Sequence, residues 1–201
     1  MNITRRNFFK MAIGAGLLSS FGKAHAATDE KILVVYFSRT GDEYRVGNIS
    51  TGNTSIVAEY IAEKTGGDTF EIKPVKDYPF DYNECTQIAS QEKATKARPE
   101  FVGSVDVSPY DIIFVGYPIW WGDMPQIIYT FLESYEFGGK KIIPFCTHGG
   151  SGLSGTEQRF AIACPSAQIL KGFAVLGTTA QKNRSETESI VVDNLNRLGL
   201  L

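Results

Sequence analysis

Lys31-Ile32-Leu33-Val34-Val35-Tyr36-Phe37 is an almost unbroken apolar run. A strand with one wet face alternates apolar and polar residues. A run without alternation suits a central parallel strand covered by helices on both faces. The pattern returns as Asp-Ile-Ile-Phe-Val-Gly from Asp111 to Gly116 and as Lys-Ile-Ile-Pro-Phe-Cys from Lys141 to Cys146, although Pro144 has no N–H for a ladder. Shorter strand candidates lie near Thr69–Ile72 and Gln168–Val175.

Helical patterns fill the gaps. Ile56, Val57, Tyr60 and Ile61 form an apolar stripe, and Cys85, Ile88, Ala89 and Glu92 mark a more polar helix. Asp123 is a candidate cap for a helix carrying Ile127, Ile128, Phe131 and Leu132. Ser154 with Glu157, and Ser185 with Glu188, have capping-box spacing. Strands alternating with helices predict an α/β fold, a three-layer α/β/α sandwich around a mostly parallel sheet. The chain reads as one domain, residues 27–201, with a long crossover from Val75 to Val107 that carries no chemical assignment.

Residues 1–26 differ in kind. Arg5-Arg6 precedes an apolar run from Met11 to Phe21, and Ala24-His25-Ala26 supplies a small-x-small cleavage pattern. The order resembles a twin-arginine export signal, which implies a periplasmic protein cleaved near Ala26; an amphipathic basic first helix is the plain alternative. No stretch reaches the roughly 20 apolar residues that cross a bilayer, so no stable transmembrane segment is expected in the mature form. Removing the signal leaves 16 basic against 22 acidic residues, a net charge of −6. That balance disfavours nucleic acid as a partner. Cys85, Cys146 and Cys164 are far apart without metal-ligand spacing, and His148 is the one histidine left, so no zinc site is expected.

Three loops leave strands at what should be one sheet edge, where ligands of open parallel sheets gather. The first is Ser38-Arg39-Thr40-Gly41, continued at Gly52-Asn53-Thr54 before a helix; its hydroxyls, amide and glycines suit a phosphate, or an ordinary capped loop. The second, Tyr117-Pro118-Ile119-Trp120-Trp121-Gly122, places both tryptophans where they could cover a planar ring or plug the sheet edge. The third is Thr147-His148-Gly149-Gly150-Ser151-Gly152, which permits close approach by something flat or anionic. His148 invites a catalytic reading with Cys146, but a cofactor-lining or solvent-facing imidazole is the simpler one.

Taken in order, these loops resemble those of the flavodoxin family. The resemblance spans Lys31 to Leu201 and implies a five-stranded parallel sheet of order 2-1-3-4-5 with non-covalent FMN. It assigns Ser38, Thr40, Asn53 and Thr54 to the phosphate, with backbone around Arg39 and Gly41. Pro118, Ile119, Trp120, Trp121 and Gly122 then lie beside the ring, as do Thr147, His148, Gly149, Gly150 and Ser151. Trp120 is the first choice for ring contact. The family's phosphate loop is compact, whereas Asp42–Ser50 divides it here. The insertion reads as a cover over the ribityl chain, part of a substrate pocket, or a surface excursion. The function implied is electron transfer through FMN in one-electron steps by way of its semiquinone, with a redox protein or a quinone/quinol as partner. An FMN-dependent reductase of a quinone or small molecule, and a flavin-free interaction module, are the alternatives.

Overall fold

The computed structural model describes residues 30–201; the export-signal reading of residues 1–26 lies outside them. In chain order the elements are β1 (Ile32–Tyr36), β2 (Gly41–Glu43), β3 (Gly47–Ile49), α1 (Asn53–Thr65), β4 (Asp68–Glu71), β5 (Lys73–Pro74), α2 (Tyr82–Thr95) and β6 (Phe101–Val102). They continue as β7 (Ile112–Pro118), α3 (Gln126–Ser134), β8 (Lys141–His148), α4 (Thr156–Ala163), β9 (Gln168–Ile169), β10 (Phe173–Leu176), α5 (Gly177–Lys182) and α6 (Arg184–Leu198).

The main sheet runs β4-β1-β7-β8-β10, all parallel, which is the expected 2-1-3-4-5 order. Its central strands are buried on both faces, as their unbroken apolar runs require. Side-chain alternation splits the core in two. Leu33, Val35, Ile113, Val115 and Ile142 pack with Ile127, Phe131 and Phe160 of α3 and α4. Val34, Ile112, Phe114, Ile143 and Phe145 pack with Val57 and Ile61 of α1, Ala180 of α5 and Val191 of α6.

The expected last strand is broken. β9 pairs with β8 at Ile142↔Ile169, but β10 resumes at Phe145↔Phe173, one residue out of step. The break falls opposite Pro144, which cannot donate to the ladder. Gly172 sits in it, and a Cβ there would lie 2.3 Å from the Pro144 carbonyl oxygen.

Three helix starts differ from expectation. α3 begins after Pro125, so Asp123 stands outside the cap position. α4 begins after Gly155, and Glu157 instead accepts from Gly172 N–H at 2.8 Å. α6 takes Asn183 as its cap, accepting from Glu186 N–H at 3.1 Å, rather than Ser185. The sequence pattern does not mark α5. The Val75–Val107 crossover contains α2, and the short β5–β6 ladder joins its ends.

Gly172→Ala should therefore cost about 1–3 kcal/mol through backbone collision. Gly138→Ala, whose new Cβ meets only Ser166 at 4.0 Å, should stay within about 0.5 kcal/mol. Urea unfolding midpoints compare the two.

Candidate cofactor site

The first loop ends in a prepared helix N-terminus. Ser38 Oγ accepts from Ser55 N–H at 3.1 Å and so caps α1 from the loop that follows β1. A Cβ on Gly52 would come 2.1 Å from that oxygen, which restricts the position to glycine. The N–H groups of Asn53 and Thr54 find no acceptor among the described residues. Free N–H groups at the positive end of a helix dipole attract an anion. Beside them, Asn53 Oδ1 is buried without a hydrogen-bond partner.

Asp42–Ser50 is a β-hairpin. Its strands pair from Gly41↔Ile49 to Glu43↔Gly47, and Arg45 turns the tip at φ 61°. Arg39 fixes its base. The guanidinium is 8% exposed and donates to Pro79 O at 2.7 Å, Phe80 O at 2.6 Å, Asp42 O at 2.8 Å and Glu43 Oε1 at 2.5 Å. Burial pushes the Glu43 carboxyl up, against the pull of Arg39. At the tip, the Tyr44 ring stacks on Tyr82 of α2, centroids 6.1 Å apart.

The second loop closes as a two-residue turn. Trp120 and Asp123 exchange backbone hydrogen bonds at 2.9 and 3.0 Å, with Trp121 and Gly122 at φ 52° and 70°. Consecutive left-handed residues fit a type I′ turn, natural for Gly122 and strained for Trp121. Lys93 Nζ holds the Trp121 carbonyl at 2.5 Å, and Arg159 holds that of Gly122 at 2.9 Å. Asp123 receives Tyr129 OH and Met124 N–H and pairs with Arg159. It organises this turn instead of capping α3. Trp120 meets Phe37 and Tyr78 edge-on and also lines the cleft. Trp121 is 58% exposed, its indole N–H on Thr86 O.

The third loop is tied to the first. Thr147 Oγ1 and Thr54 Oγ1 share a buried hydrogen bond at 2.9 Å, which leaves the pair one hydroxyl proton to give elsewhere. Gly150 and Gly152 N–H donate to His148 Nδ1 at 2.9 and 3.1 Å, so the ring's proton sits on Nε2. Burial also draws the imidazole below its usual range. The Cys146 thiol is buried, pushed up to about 12, and directed at Gly152 O at 3.5 Å. It offers no thiolate to a Cys–His pair.

Together the loops enclose a cleft of about 340 Å³. Of the residues expected there, Arg39, Asn53, Pro118, Ile119, Trp120, Trp121, Thr147, His148 and Gly149 line it. Ser38 and Thr54 stand behind, holding α1. Thr40 is exposed, and Gly41 is packed under Phe80. Gly122 lies in the turn, and Gly150 and Ser151 are exposed in the loop that wraps His148. The cleft also takes Glu43 and Tyr44 from the hairpin, Tyr82, Cys85, Thr86 and Ala89 from α2, and Gly177 from α5. The α2 residues follow i, i+3, i+4, i+7 spacing, a helix face visible in the sequence once the helix is known to border the site. Among the described residues, no acid–histidine–cysteine cluster could hold a metal, and no helix is long and apolar enough to cross a membrane.

Arg39→Met should strand a buried carboxylate and the Asp42 and Pro79 carbonyls, whereas Phe80 O keeps the Asp42 N–H. A loss of about 3–5 kcal/mol is expected, read by urea unfolding and accompanied by protease sensitivity within residues 42–50.

The family profile described as Flavodoxin matches residues 31–188. A candidate flavoprotein of Bacteroides uniformis ATCC 8492 shares 33% identity over 80% of this chain and 96% of its own, with a TM-score of 0.65. Another from Bacteroides eggerthii DSM 20697 shares 29% over 86% of this chain and all of its own, TM-score 0.69. A Lactobacillus acidophilus NCFM flavoprotein, solved with FMN, has the same fold at 22% identity, covering 72% of this chain and 93% of its own, TM-score 0.58. No curated protein matches. Profile, strand order and loop placement agree: the chain belongs to the flavodoxin family.

Proposed function

We propose that this chain is an electron carrier that holds FMN in the three-loop cleft and passes electrons singly to or from a redox protein or a quinone. The observation that carries the reading is the pairing of two unfilled requirements at the start of α1. The free N–H groups of Asn53 and Thr54 call for an anion, and the buried Asn53 Oδ1 calls for a donor. A phosphate ester next to a polyhydroxyl chain, as in FMN, supplies both. This divides the expected role of Asn53: its backbone suits phosphate, whereas its side-chain oxygen suits a ribityl hydroxyl.

The rest of the cleft fits a flat ring. Trp120 and Pro118-Ile119 of one loop and His148-Gly149 of another line the cleft together. His148 presents Nε2–H as a neutral donor, because its Nδ1 is already occupied by two N–H groups. When bound, FMN supplies the redox chemistry, and the chain orients it and limits water around it. Two polar side chains next to the loops are committed elsewhere. Cys146 is inert, and Arg39 is spent on the hairpin.

The same proposal places the protein outside the cytoplasm. Support comes from Arg5-Arg6, the apolar run and Ala24-His25-Ala26, in the order an export signal requires. A pathway that carries folded proteins suits a chain loaded with its cofactor before export.

Purified full-length protein should be yellow, and anaerobic reductive titration should show a one-electron-reduced form with little NAD(P)H oxidation. Rapid NAD(P)H-driven quinone turnover would replace the carrier with a reductase, and a colourless protein that takes up no added FMN would remove both. Asn53→Ala should weaken FMN binding at least about tenfold, the scale of a lost buried hydrogen bond. For localisation, the periplasmic fraction should contain a chain starting near Ala27, and Arg5→Lys with Arg6→Lys should trap the precursor inside. Unchanged fractionation of that variant would overturn the export reading.

A further inference from the structure

The β2–β3 hairpin is what divides this phosphate loop, and its two ends are held by different kinds of force. At the base, Arg39 makes charge-assisted bonds to Asp42, Glu43, Pro79 and Phe80. On the exit side, Gln181 Nε2 of α5 holds Thr51 O at 2.5 Å. Among the described residues the tip has no such anchor. Within Tyr44-Arg45-Val46, the hydrogen bond found is Val46 N–H to Glu43 O at 3.1 Å, which closes the hairpin's own turn. Arg45 lies over the Tyr44 ring at 5.2 Å, and Tyr44 and Val46 reach the neighbouring elements through aromatic and apolar surface.

Those contacts lie across the cleft. Tyr44 stacks on Tyr82 of α2. It also rests on the third loop so closely that a Cβ on Gly149 would come 2.7 Å from Tyr44 Cδ1. Val46 lies 3.7 Å from the position a Cβ would take on Gly177, and the same position is 2.8 Å from Asn53 Nδ2. The tip therefore meets α5 beside the residue with the unfilled buried oxygen, and it bridges from the first loop to the third. Glycines at 41 and 47, with φ 114° and 87°, flank the first hairpin strand and the start of the second.

We propose that the β2–β3 hairpin is a fourth cofactor-binding element, a clasp whose tip closes over the Asn53 end of the cleft and must swing away before FMN enters or leaves. The proposal rests on the FMN reading above. Strong bonds at the base and dispersion contacts at the tip locate the moving part: the tip opens and the base stays. Tyr44, 52% exposed, is held shallowly enough to be released without unfolding its neighbours. Gly149 is the seat of the latch, since any side chain there displaces the tyrosine.

A gate of this kind slows association and dissociation together, which separates it from a residue that merely touches the ligand. Stopped-flow FMN fluorescence gives both rates for the full chain, with thermal unfolding as the folding control. Tyr44→Ala and Gly149→Ala should each raise both rates by about five- to tenfold, the scale of one lost aromatic contact. Tyr44→Phe should keep both near wild type. Because the two alanine changes break one contact, the double variant should exceed neither single one. Rates within twofold of wild type in both single variants, a rise in dissociation alone, or multiplicative effects in the double variant would each overturn the clasp while leaving FMN binding intact. A wild-type chain that takes up no FMN would instead fail the cofactor reading and the clasp with it.

Discussion

The buried Arg39 guanidinium is the interaction on which the arrangement of the site depends. A charge at 8% exposure is costly unless paired and fully hydrogen-bonded. Here one carboxylate and several carbonyls satisfy it, and they come from two segments: the hairpin base at Asp42–Glu43 and the approach to α2 at Pro79–Phe80. One side chain thus fixes both elements against the first loop. Its donors are thereby spent on the fold, while the N–H groups that lack an acceptor among the described residues belong to the backbone at the start of α1.

Much of this was legible because burial leaves a compositional mark. Two-sided burial removes alternation, so β1, β7 and β8 stand out as apolar runs. Close approach at Gly149 and positive φ at Gly150 and Gly152 call for glycine, so that loop stands out as well. Features decided by competition between similar local choices were not legible. Asn183–Glu186 and Ser185–Glu188 have the same capping spacing, and the helix took the asparagine. α5 is six residues long and holds its place through packing on α1 and α6, which carries little local signal. The strand break at Gly172 answers to Pro144, a residue on another strand. The α2 face was hidden for a related reason: its spacing is readable, but which loop it faces is set by Arg39.

The three loops are also bonded to one another, so the cleft is one unit instead of three neighbours. Thr54–Thr147 joins the first to the third beneath the cleft floor. Ile119 N–H donates to Thr147 O at 2.8 Å and joins the second to the third. Phe37 N–H donates to Gly116 O at 2.9 Å where the first and second leave the sheet. Such cross-links hold binding groups in place before a ligand arrives, which lowers the ordering cost of binding. They also account for residues that matter to the site without reaching it. Ser38 and Thr54 hold the start of α1, and α1 presents the N–H groups.

A rigid three-loop cleft and a loosely latched hairpin make different contributions to the same binding. The floor sets how favourably a cofactor sits, because its donors and acceptors are already placed. The clasp adds little to that affinity, since its contacts are few and partly wet. What a cover changes is the barrier, because entry and exit both require the open state. A carrier that remains among cytoplasmic FMN has little use for such a barrier, as a lost cofactor is replaced at the cost of one encounter. An exported carrier leaves its supply behind, and for it residence time counts more than equilibrium affinity. If the chain is exported as proposed, the inserted hairpin and the Arg5-Arg6 segment answer one constraint: a cofactor acquired once has to be kept.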